Sequence, residues 1–287
     1  DGNSWSGNSS DAPSDNDDFY LPSSFDSTDA ATTGVVEAAD AAVEKYNSAA
    51  GFTIIKYAGD GSTDGNTQTL NHSLGVPLEF VLVKGRTNND SMDSGEWVVW
   101  HKDLTSGNFL RLNSNAAQDS ESSSNTLIAT DTSGSQHRVV VNNGYANTSG
   151  NAHYLNSGPD NGTGDDYILY GWASSEMVKI GSWVGSGDDD GPMVYCGFRP
   201  SLILAKAVDR SNSWYMWDDQ RDGYNVTDAG LWADLSNAES DSSTNKVDFL
   251  SNGFKLRGDG NGTNASSSNN YIFIAWAHSP FSKANSF

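Results

Sequence analysis

The chain has very little cysteine and few basic residues. Cys196 is the single cysteine among 287 residues, so no intramolecular disulfide can form. We expect Cys196 to be a small core residue rather than a reactive thiol. Sixteen lysines and arginines face 37 aspartates and glutamates, giving a formal net charge of −21. A field of this sign repels nucleic acid and anionic membranes, so neither is expected as a partner.

Long apolar runs and the common catalytic motifs are also missing. No uninterrupted apolar stretch approaches the ~18–20 residues of a membrane-spanning helix. The sequence lacks a G-x-S-x-G elbow, a complete P-loop, a complete G-x-G-x-x-G and a Cys-x-x-Cys pair. A glycoside hydrolase needs two carboxyl groups about 5–9.5 Å apart, and Glu96 beside Trp97 is the best-placed acid. Because an acid at a strand start is ordinary in so acidic a chain, we predict no enzymatic activity.

The sequence does contain an ordered series of blocks that occurs twice. The first series includes Gly75-Val76-Pro77, Phe80–Lys84, Trp97–Trp100 and Tyr167–Ala173. The second series includes Gly197-Phe198-Arg199, Leu202–Lys206, Trp214–Trp217 and Tyr271–Ala277. The interval between matching blocks shortens along the chain, so the second copy has shorter loops between the same strands. This repeat predicts a duplicated domain.

The fold class follows from the blocks themselves. Short aromatic-rich apolar runs separated by Asp-Gly, Asn-Gly and Ser-Gly pairs predict an all-β protein. We expect two tandem, duplicated β-sandwich domains of jelly-roll-like architecture, one over residues 51–176 and one over residues 177–287. The closing runs Tyr167–Ala173 and Tyr271–Ala277 are apolar on both alternating faces, as central strands of a sandwich would be.

Residues 1–50 differ from the rest of the chain. They hold ten acidic residues and one basic residue. Such a segment buries too little apolar surface to fold alone, so we predict an extended acidic arm pinned by its aromatic residues. Val35, Ala39, Val43 and Tyr46 fall on one helical face, which predicts a short helix over Val35–Ala50.

Two tryptophan pairs are the candidate binding residues. Trp97 and Trp100 in the first copy match Trp214 and Trp217 in the second. Exposed aromatic rings are the usual platform for the C–H faces of sugars. Residues three apart on a strand point to opposite faces, however, so core packing is favoured over a glycan platform.

Aspartate-rich loops offer a candidate Ca²⁺ site. Asp188, Asp190, Asp165 and Asp259 stand in runs with glycine or asparagine and would supply hard oxygen ligands. None of these runs matches an EF-hand loop, and ordinary Asx and glycine turns use the same residues. Turns are therefore the favoured interpretation, and no other cofactor is expected. The five histidines are expected at the surface or at strand edges.

The ordered blocks resemble a poorly characterised β-rich domain found at the C-terminal ends of tail-fibre-like and other structural proteins of marine bacteriophages. The resemblance rests on Tyr57-Ala58-Gly59-Asp60-Gly61, Gly75-Val76-Pro77, Trp97-Val98-Val99-Trp100-His101, Gly197-Phe198-Arg199-Pro200, Trp214-Tyr215-Met216-Trp217-Asp218 and Ala275-Trp276-Ala277-His278-Ser279-Pro280-Phe281. It implies a structural protein exposed on the virion surface, in the tail fibre or host-attachment apparatus. It also implies a homo-oligomer such as a trimer, contacts with other virion subunits, and a host-surface glycan as ligand.

Two alternatives from other functional classes stay open. One is a secreted filament or surface-layer subunit of a marine microbe, assembling by strand addition through its N-terminal arm. The other is a carbohydrate-binding or polysaccharide-degrading module. The acidity is compatible with salty water, where screening weakens repulsion within the chain.

Overall fold

The computed structural model describes residues 33–37, 43–59, 67–86, 96–120, 128–133, 136–142, 155–156, 166–266 and 269–278. All regular structure in these ranges is antiparallel β-strand, which confirms the all-β prediction. The described ranges contain no helix long and apolar enough to cross a membrane. The predicted acidic arm over residues 1–32 lies outside the described residues, as does Asp165.

Eleven strands belong to the first part of the chain. In chain order they are β1 Thr33–Glu37, β2 Val43–Asn47, β3 Phe52–Ala58, β4 Thr67–His72, β5 Phe80–Gly85, β6 Trp97–His101, β7 Asn108–Arg111, β8 Asp119–Ser120, β9 Ile128–Ser133, β10 Gln136–Asn142 and β11 Asp166–Trp172. They form a large sheet in the order β1-β2-β3-β11-β5-β6-β7-β8 and a small sheet in the order β4-β10-β9. We call the part from β1 to β11 the first half.

Nine strands form the second half. They are β12 Val178–Val184, β13 Met193–Tyr195, β14 Pro200–Ala207, β15 Tyr215–Asp218, β16 Ala229–Trp232, β17 Ser240–Asp241, β18 Val247–Leu250, β19 Gly253–Leu256 and β20 Asn270–Ala277. They form a large sheet in the order β12-β20-β14-β15-β16-β17 and a small sheet in the order β13-β19-β18.

The two halves share one strand order. Counted from β3 or from β12, both large sheets read 1-9-3-4-5-6 and both small sheets read 2-8-7. The closing strands β11 and β20 lie centrally, as predicted, because each pairs with a strand on either side. The large and small sheets of each half are unequal, unlike the two sheets of a jelly roll.

Each half is a sandwich with its own core. In the first half, Ile55 and Val81 of the large sheet pack with Leu70 and Val139 of the small sheet. The second half packs the large-sheet residues Ile203, Trp217 and Phe273 against Val194 and Phe254 of its small sheet. Cys196 belongs to this second core, where burial raises the pKa of its thiol to about 12. The prediction of a small, buried core cysteine is therefore confirmed.

A third core joins the halves. It takes buried side chains from the outer faces of both large sheets, among them Phe80, Leu82 and Leu110 from the first and Val178, Ile180 and Ile274 from the second. The molecule therefore has four layers, in the order small, large, large, small. Large-sheet strands consequently bury both faces, which explains why β5 and β20 are apolar at successive positions.

Hydrogen bonds also cross between the large sheets. The Trp214 indole N–H donates to the Arg111 carbonyl at 2.8 Å. His101 Nδ1 accepts from the Asp103 N–H at 3.0 Å, so Nε2 carries the proton and faces the Phe273 carbonyl at 3.3 Å. The two halves thus share one hydrogen-bonded interface and are not two unconnected domains.

The helix predicted over Val35–Ala50 is wrong. The structure has the antiparallel strands β1 and β2 within this range, and β2 adds to the edge of β3. Glu44, which the helical pattern left on a polar face, is buried instead. Its carboxylate accepts hydrogen bonds from the Thr53 hydroxyl and from the Ser73 N–H and hydroxyl. These partners are distant in sequence, so local periodicity could not reveal them.

Candidate functional site

The predicted tryptophans divide between the cores and the interface. Trp214 is completely buried between the halves, and Trp217 is completely buried in the second core. Neither presents a ring face to a sugar. Trp97 is half-buried and stacks on Tyr170 at a centroid distance of 6.3 Å. Trp100, also half-buried, packs against the first core.

Among the described residues, the predicted Ca²⁺ ligands Asp188, Asp190 and Asp259 do not form a group that could hold a metal ion. Asp190 pairs with Lys255 and Arg257 at 3.0 Å each, and the Lys255 hydrogen bond lowers the pKa of its carboxyl. Asp188 Oδ1 accepts the Asp190 N–H at 2.8 Å, an Asx turn. Asp259 is exposed. Over the described ranges, no group of three or more histidine, cysteine or acidic side chains could hold a metal ion.

Glu96, the acid that was considered for catalysis, forms an ion pair with Arg111. Its carboxylate accepts a hydrogen bond from Arg111 Nε at 2.6 Å. The Arg111 side chain is itself largely buried. A carboxylate paired with a largely buried guanidinium does not lie in the apolar pocket that a general acid needs.

A different set of side chains gathers at one end of the second half. It is defined here as the tip cluster and comprises Tyr195, Arg199, Asp219, Tyr224, Asn225 and His278. Secondary structure brings these residues together because β13 ends at Tyr195, Arg199 precedes β14, Asp219 follows β15 and His278 follows β20. Tyr224 and Asn225 belong to the loop between β15 and β16, which we call the tip loop.

A buried carboxylate organises the charged part of the cluster. The Asp219 side chain is 3% exposed and lies 2.6 Å from His278 Nδ1 and 3.6 Å from Arg199 Nε. The side chains of Arg199 and His278 are each 45% exposed. The His278 N–H donates to the Arg199 carbonyl at 2.8 Å, which fixes the two segments side by side. Asp219 therefore holds the solvent-facing side chains of Arg199 and His278 in place.

The tip loop is held at both of its ends. Asp218 Oδ1 accepts the N–H groups of Gln220 and Arg221 at 3.0 Å each. Asp222 Oδ2 accepts the N–H groups of Asp228 and Ala229, also at 3.0 Å. These bonds restrain the loop before any ligand arrives.

Asn225 fixes the centre of the loop. Its side chain accepts from the Phe249 N–H at 2.9 Å and donates to the Phe249 carbonyl at 3.0 Å, as a neighbouring strand would. Arg199 Nη1 donates to the same carbonyl at 3.1 Å, so the loop and the charged group meet at this atom. Tyr224, next to Asn225, is left 91% exposed at the end of a restrained loop.

Tyr195, the last residue of β13, is a second exposed ring in the second half. It is 64% exposed and lies opposite Gly253, at the start of the strand that follows the β18–β19 turn. Val226, beyond Asn225, is 40% exposed. The tip cluster thus combines two accessible aromatic rings with the nitrogen-bearing side chains of Arg199 and His278, and the partly exposed Val226 adjoins it.

The first half has different chemistry at the matching place. By strand register, Pro77 stands where the second half has Arg199, Lys102 where it has Asp219, and Ser174 where it has His278. There, Glu79 accepts from Lys102 Nζ at 3.0 Å and from the Ser174 hydroxyl at 2.6 Å. Within the described residues, the histidine–aspartate–arginine arrangement belongs to the second half.

The sequence patterns did not predict the tip cluster. Asp219 is far from His278 in the chain, so their contact could not be predicted, although Ser174 at the matching position of the first half was a signal that the halves differ there. His72 and His101, which were expected at the surface or at strand edges, are the last residues of β4 and β6 and are buried. Burial lowers the pKa of each imidazole to about 4.

No curated protein matches the chain. A family model described as "Domain of unknown function (DUF7483)" matches residues 6–280, so a single family unit spans both halves. The chain therefore belongs to the DUF7483 family of domains.

Proposed function

We propose that the chain is a non-enzymatic structural subunit of a bacteriophage particle, exposed on the virion surface, and that it attaches to a host-surface glycan through the tip cluster. The phage context rests on the resemblance of the ordered sequence blocks. One observation supports the binding role. Tyr224 is almost fully exposed on a loop that is hydrogen-bonded at both ends and at its centre.

The chemistry of the cluster suits a saccharide. The exposed rings of Tyr195 and Tyr224 provide surfaces for the C–H faces of sugar rings. Arg199 and His278 provide hydrogen-bond donors for hydroxyl or carboxylate groups, and Asp219 keeps both in place. A restrained loop loses little conformational freedom on binding, which favours affinity.

The proposal includes the duplication itself. It is supported by the shared strand order and by equivalent contacts in each half. Asn113 Oδ1 accepts the Trp97 N–H at 3.0 Å, and Asp234 Oδ1 accepts the Trp214 N–H at 2.8 Å. In this account the first β-sandwich domain covers residues 51–176, the second covers residues 177–287, and the second has acquired the binding cluster.

A stacked aromatic pair that occurs in both halves also supports the duplication. The rings of Tyr57 and Tyr167 stack at 5.1 Å in the first half, and those of Trp183 and Tyr271 stack at 5.3 Å in the second. The first pair joins β3 to the central strand β11, and the second joins β12 to the central strand β20. Two copies of one ancestral domain would retain such a contact while their loops diverged.

The test is an array of bacterial surface polysaccharides probed with the intact chain. We expect selective retention on a subset of glycans, and those glycans should keep their length on prolonged incubation. No retention on any bacterial polysaccharide would contradict the attachment role. Shortened glycans would instead identify a polysaccharide-degrading enzyme.

A further inference from the structure

The outer edge of β12 is an open sheet edge. β12 forms the end of the second large sheet and pairs with β20 on one side. Among the described residues, no strand lies on its other side. Exposed edges of this kind are usually shortened, covered or charged in natural proteins, because unpaired backbone groups recruit other strands.

Hydrogen bonds at the two ends of β12 show which residues face outward. The Met177 carbonyl accepts from the Ala277 N–H, and the Gly185 N–H donates to the Asn269 carbonyl, both at 2.9 Å. Odd-numbered residues therefore bond toward β20, because hydrogen-bonded pairs alternate along an antiparallel ladder. The even-numbered residues from Val178 to Val184 direct their backbone groups to the open side.

The beginning of this edge is closed by the turn that precedes β12. The Val178 carbonyl accepts from the Ser175 N–H at 2.8 Å, and the Val178 N–H donates to the Ser175 hydroxyl at 3.2 Å. The Ile180 N–H donates to the Ser174 hydroxyl at 3.2 Å. An added strand therefore has to end at Ile180.

Five backbone groups remain on the open side. They are the Ile180 carbonyl and the N–H and carbonyl groups of Ser182 and Val184, none of which bonds to a described residue. Ser182 is exposed, and the apolar side chain of Val184 is 51% exposed. The open edge is therefore long enough for a strand of about five residues, at one ladder bond for each of these groups.

The first half shows what covers the same edge there. β3 is the counterpart of β12, and its outward residues Phe52, Ile54 and Lys56 pair with β2. β2 comes from the residues that precede the first sandwich. The second half has no such source, because only residues 173–177 separate β11 from β12 and they already form the closing turn.

We propose that the N-terminal segment of a second copy of this chain, within residues 1–32, adds to the β12 edge as β2 adds to β3. This segment precedes β1, and its extended length is on the order of 100 Å. Its run Phe19-Tyr20-Leu21 favours a strand and is followed by Pro22, which has no N–H to donate. A strand that stops before Pro22 matches an edge that is closed at Ile180.

Donation between copies gives each copy one donor segment and one acceptor edge. Such head-to-tail contacts form a closed ring, such as a trimer, when the rotation closes, and an open filament when it does not. The proposal is independent of the tip cluster. A failure of glycan binding would leave it intact, and a monomeric chain would leave glycan binding intact.

The experiment measures the mass of the intact chain and its variants by light scattering after gel filtration. Ser182→Pro removes an outward N–H and spares the bonds to β20, while Ser182→Ala is the matched control that keeps the N–H. Phe19→Pro removes a donor N–H, because a strand with Leu21 opposite Ile180 places Phe19 opposite Ser182 and directs its N–H to the β12 edge. We expect the wild type and Ser182→Ala to assemble, and both proline variants to be monomers.

Mixing the two proline variants separates lost assembly from misfolding. The Ser182→Pro chain keeps its donor segment and the Phe19→Pro chain keeps its acceptor edge, so an equimolar mixture should form a dimer. Absence of that dimer would overturn the proposal. A monomeric wild type, or assembly that persists in either proline variant, would overturn it equally.

Discussion

At the scale of single residues, the most unusual group is the fully buried Lys206. Its Nζ donates to the Ala207 carbonyl at 2.7 Å and to the Arg210 carbonyl at 3.4 Å. Burial lowers the pKa of this ammonium group to about 8. Below that pH the folded protein must hold a charged lysine in its interior, which costs stability.

Replacing Lys206 with methionine should change how stability depends on pH. Between the folded pKa of about 8 and the unfolded value of 10.5, the unfolded chain binds more protons, so wild-type stability rises with pH. We expect the unfolding free energy of the wild type, relative to Lys206→Met, to rise by about 2–3 kcal/mol from pH 7 to pH 10. Urea unfolding at both pH values measures this difference. A difference that does not change with pH would show that Lys206 keeps an ordinary pKa.

The two buried tryptophans of the second half form a matched pair for mutation. Trp214 donates its indole N–H to Arg111, whereas the Trp217 indole nitrogen has no described hydrogen-bond partner. Each phenylalanine variant loses similar buried surface, but Trp214→Phe also removes the 2.8 Å hydrogen bond to the Arg111 carbonyl, which then keeps only the longer bond from the Ser114 N–H at 3.3 Å. We expect Trp214→Phe to destabilise the protein by about 1–2 kcal/mol more than Trp217→Phe in urea. Equal losses would mean that the bond between the halves adds no net stability.

At the scale of elements, the end of β6 links the two large sheets through His101. The ring is neutral in the folded state, and burial lowers its pKa to about 4. Between pH 6.5 and 4 the unfolded chain therefore binds more protons than the folded chain. Stability should consequently be lost as the pH falls through this range.

The corresponding variant is His101→Gln, which keeps a hydrogen-bond donor but does not titrate. We expect its stability to fall by about 2–3 kcal/mol less than that of the wild type between pH 7 and pH 4.5. Some acid sensitivity should remain, since the buried His72 also has a pKa of about 4. Chemical unfolding at the two pH values is the measurement. Identical losses in both proteins would place the acid sensitivity elsewhere.

The strands that could be predicted from sequence are those whose patterns are local. The strand Phe80–Gly85 begins with four successive buried apolar residues, Phe80 to Val83, because the sheet is covered on both faces, and such a run can be recognised from sequence alone. The β1–β2 hairpin could not be predicted this way. The buried Glu44 carboxylate of this hairpin accepts hydrogen bonds from Thr53 and Ser73, which are distant in sequence. The same residues also fit an apolar pattern of period 3.6, which predicted a helix instead.

The tip cluster escaped prediction for a similar reason. Asp219, His278 and Arg199 meet because β14, β15 and β20 are neighbours in the sheet, and strand order is not visible in local sequence. The tryptophan pairs were visible but belong mainly to cores. The exposed position of Tyr224 depends on the hydrogen bond between the Asn225 side chain and Phe249 of β18, which composition alone does not specify.

At the scale of the whole molecule, four sheets form three connected cores without a disulfide. The apolar outer faces of the large sheets are buried against each other, so each half depends on the other. The match of one family model across residues 6–280 agrees with this dependence. In our account, this scaffold holds the tip cluster at one end and an open strand edge at β12, one for the host and one for assembly.

The most direct test of the account is the affinity of a glycan retained on the polysaccharide array for the wild type and two variants. Tyr224→Ala removes the exposed ring, and Leu235→Ala removes an apolar side chain that is 44% exposed near the opposite end of β15. We predict that Tyr224→Ala weakens binding at least about tenfold, as loss of an aromatic anchor does, while Leu235→Ala leaves it unchanged. Equal affinity of the wild type and Tyr224→Ala would contradict the assignment of the tip cluster as the attachment site.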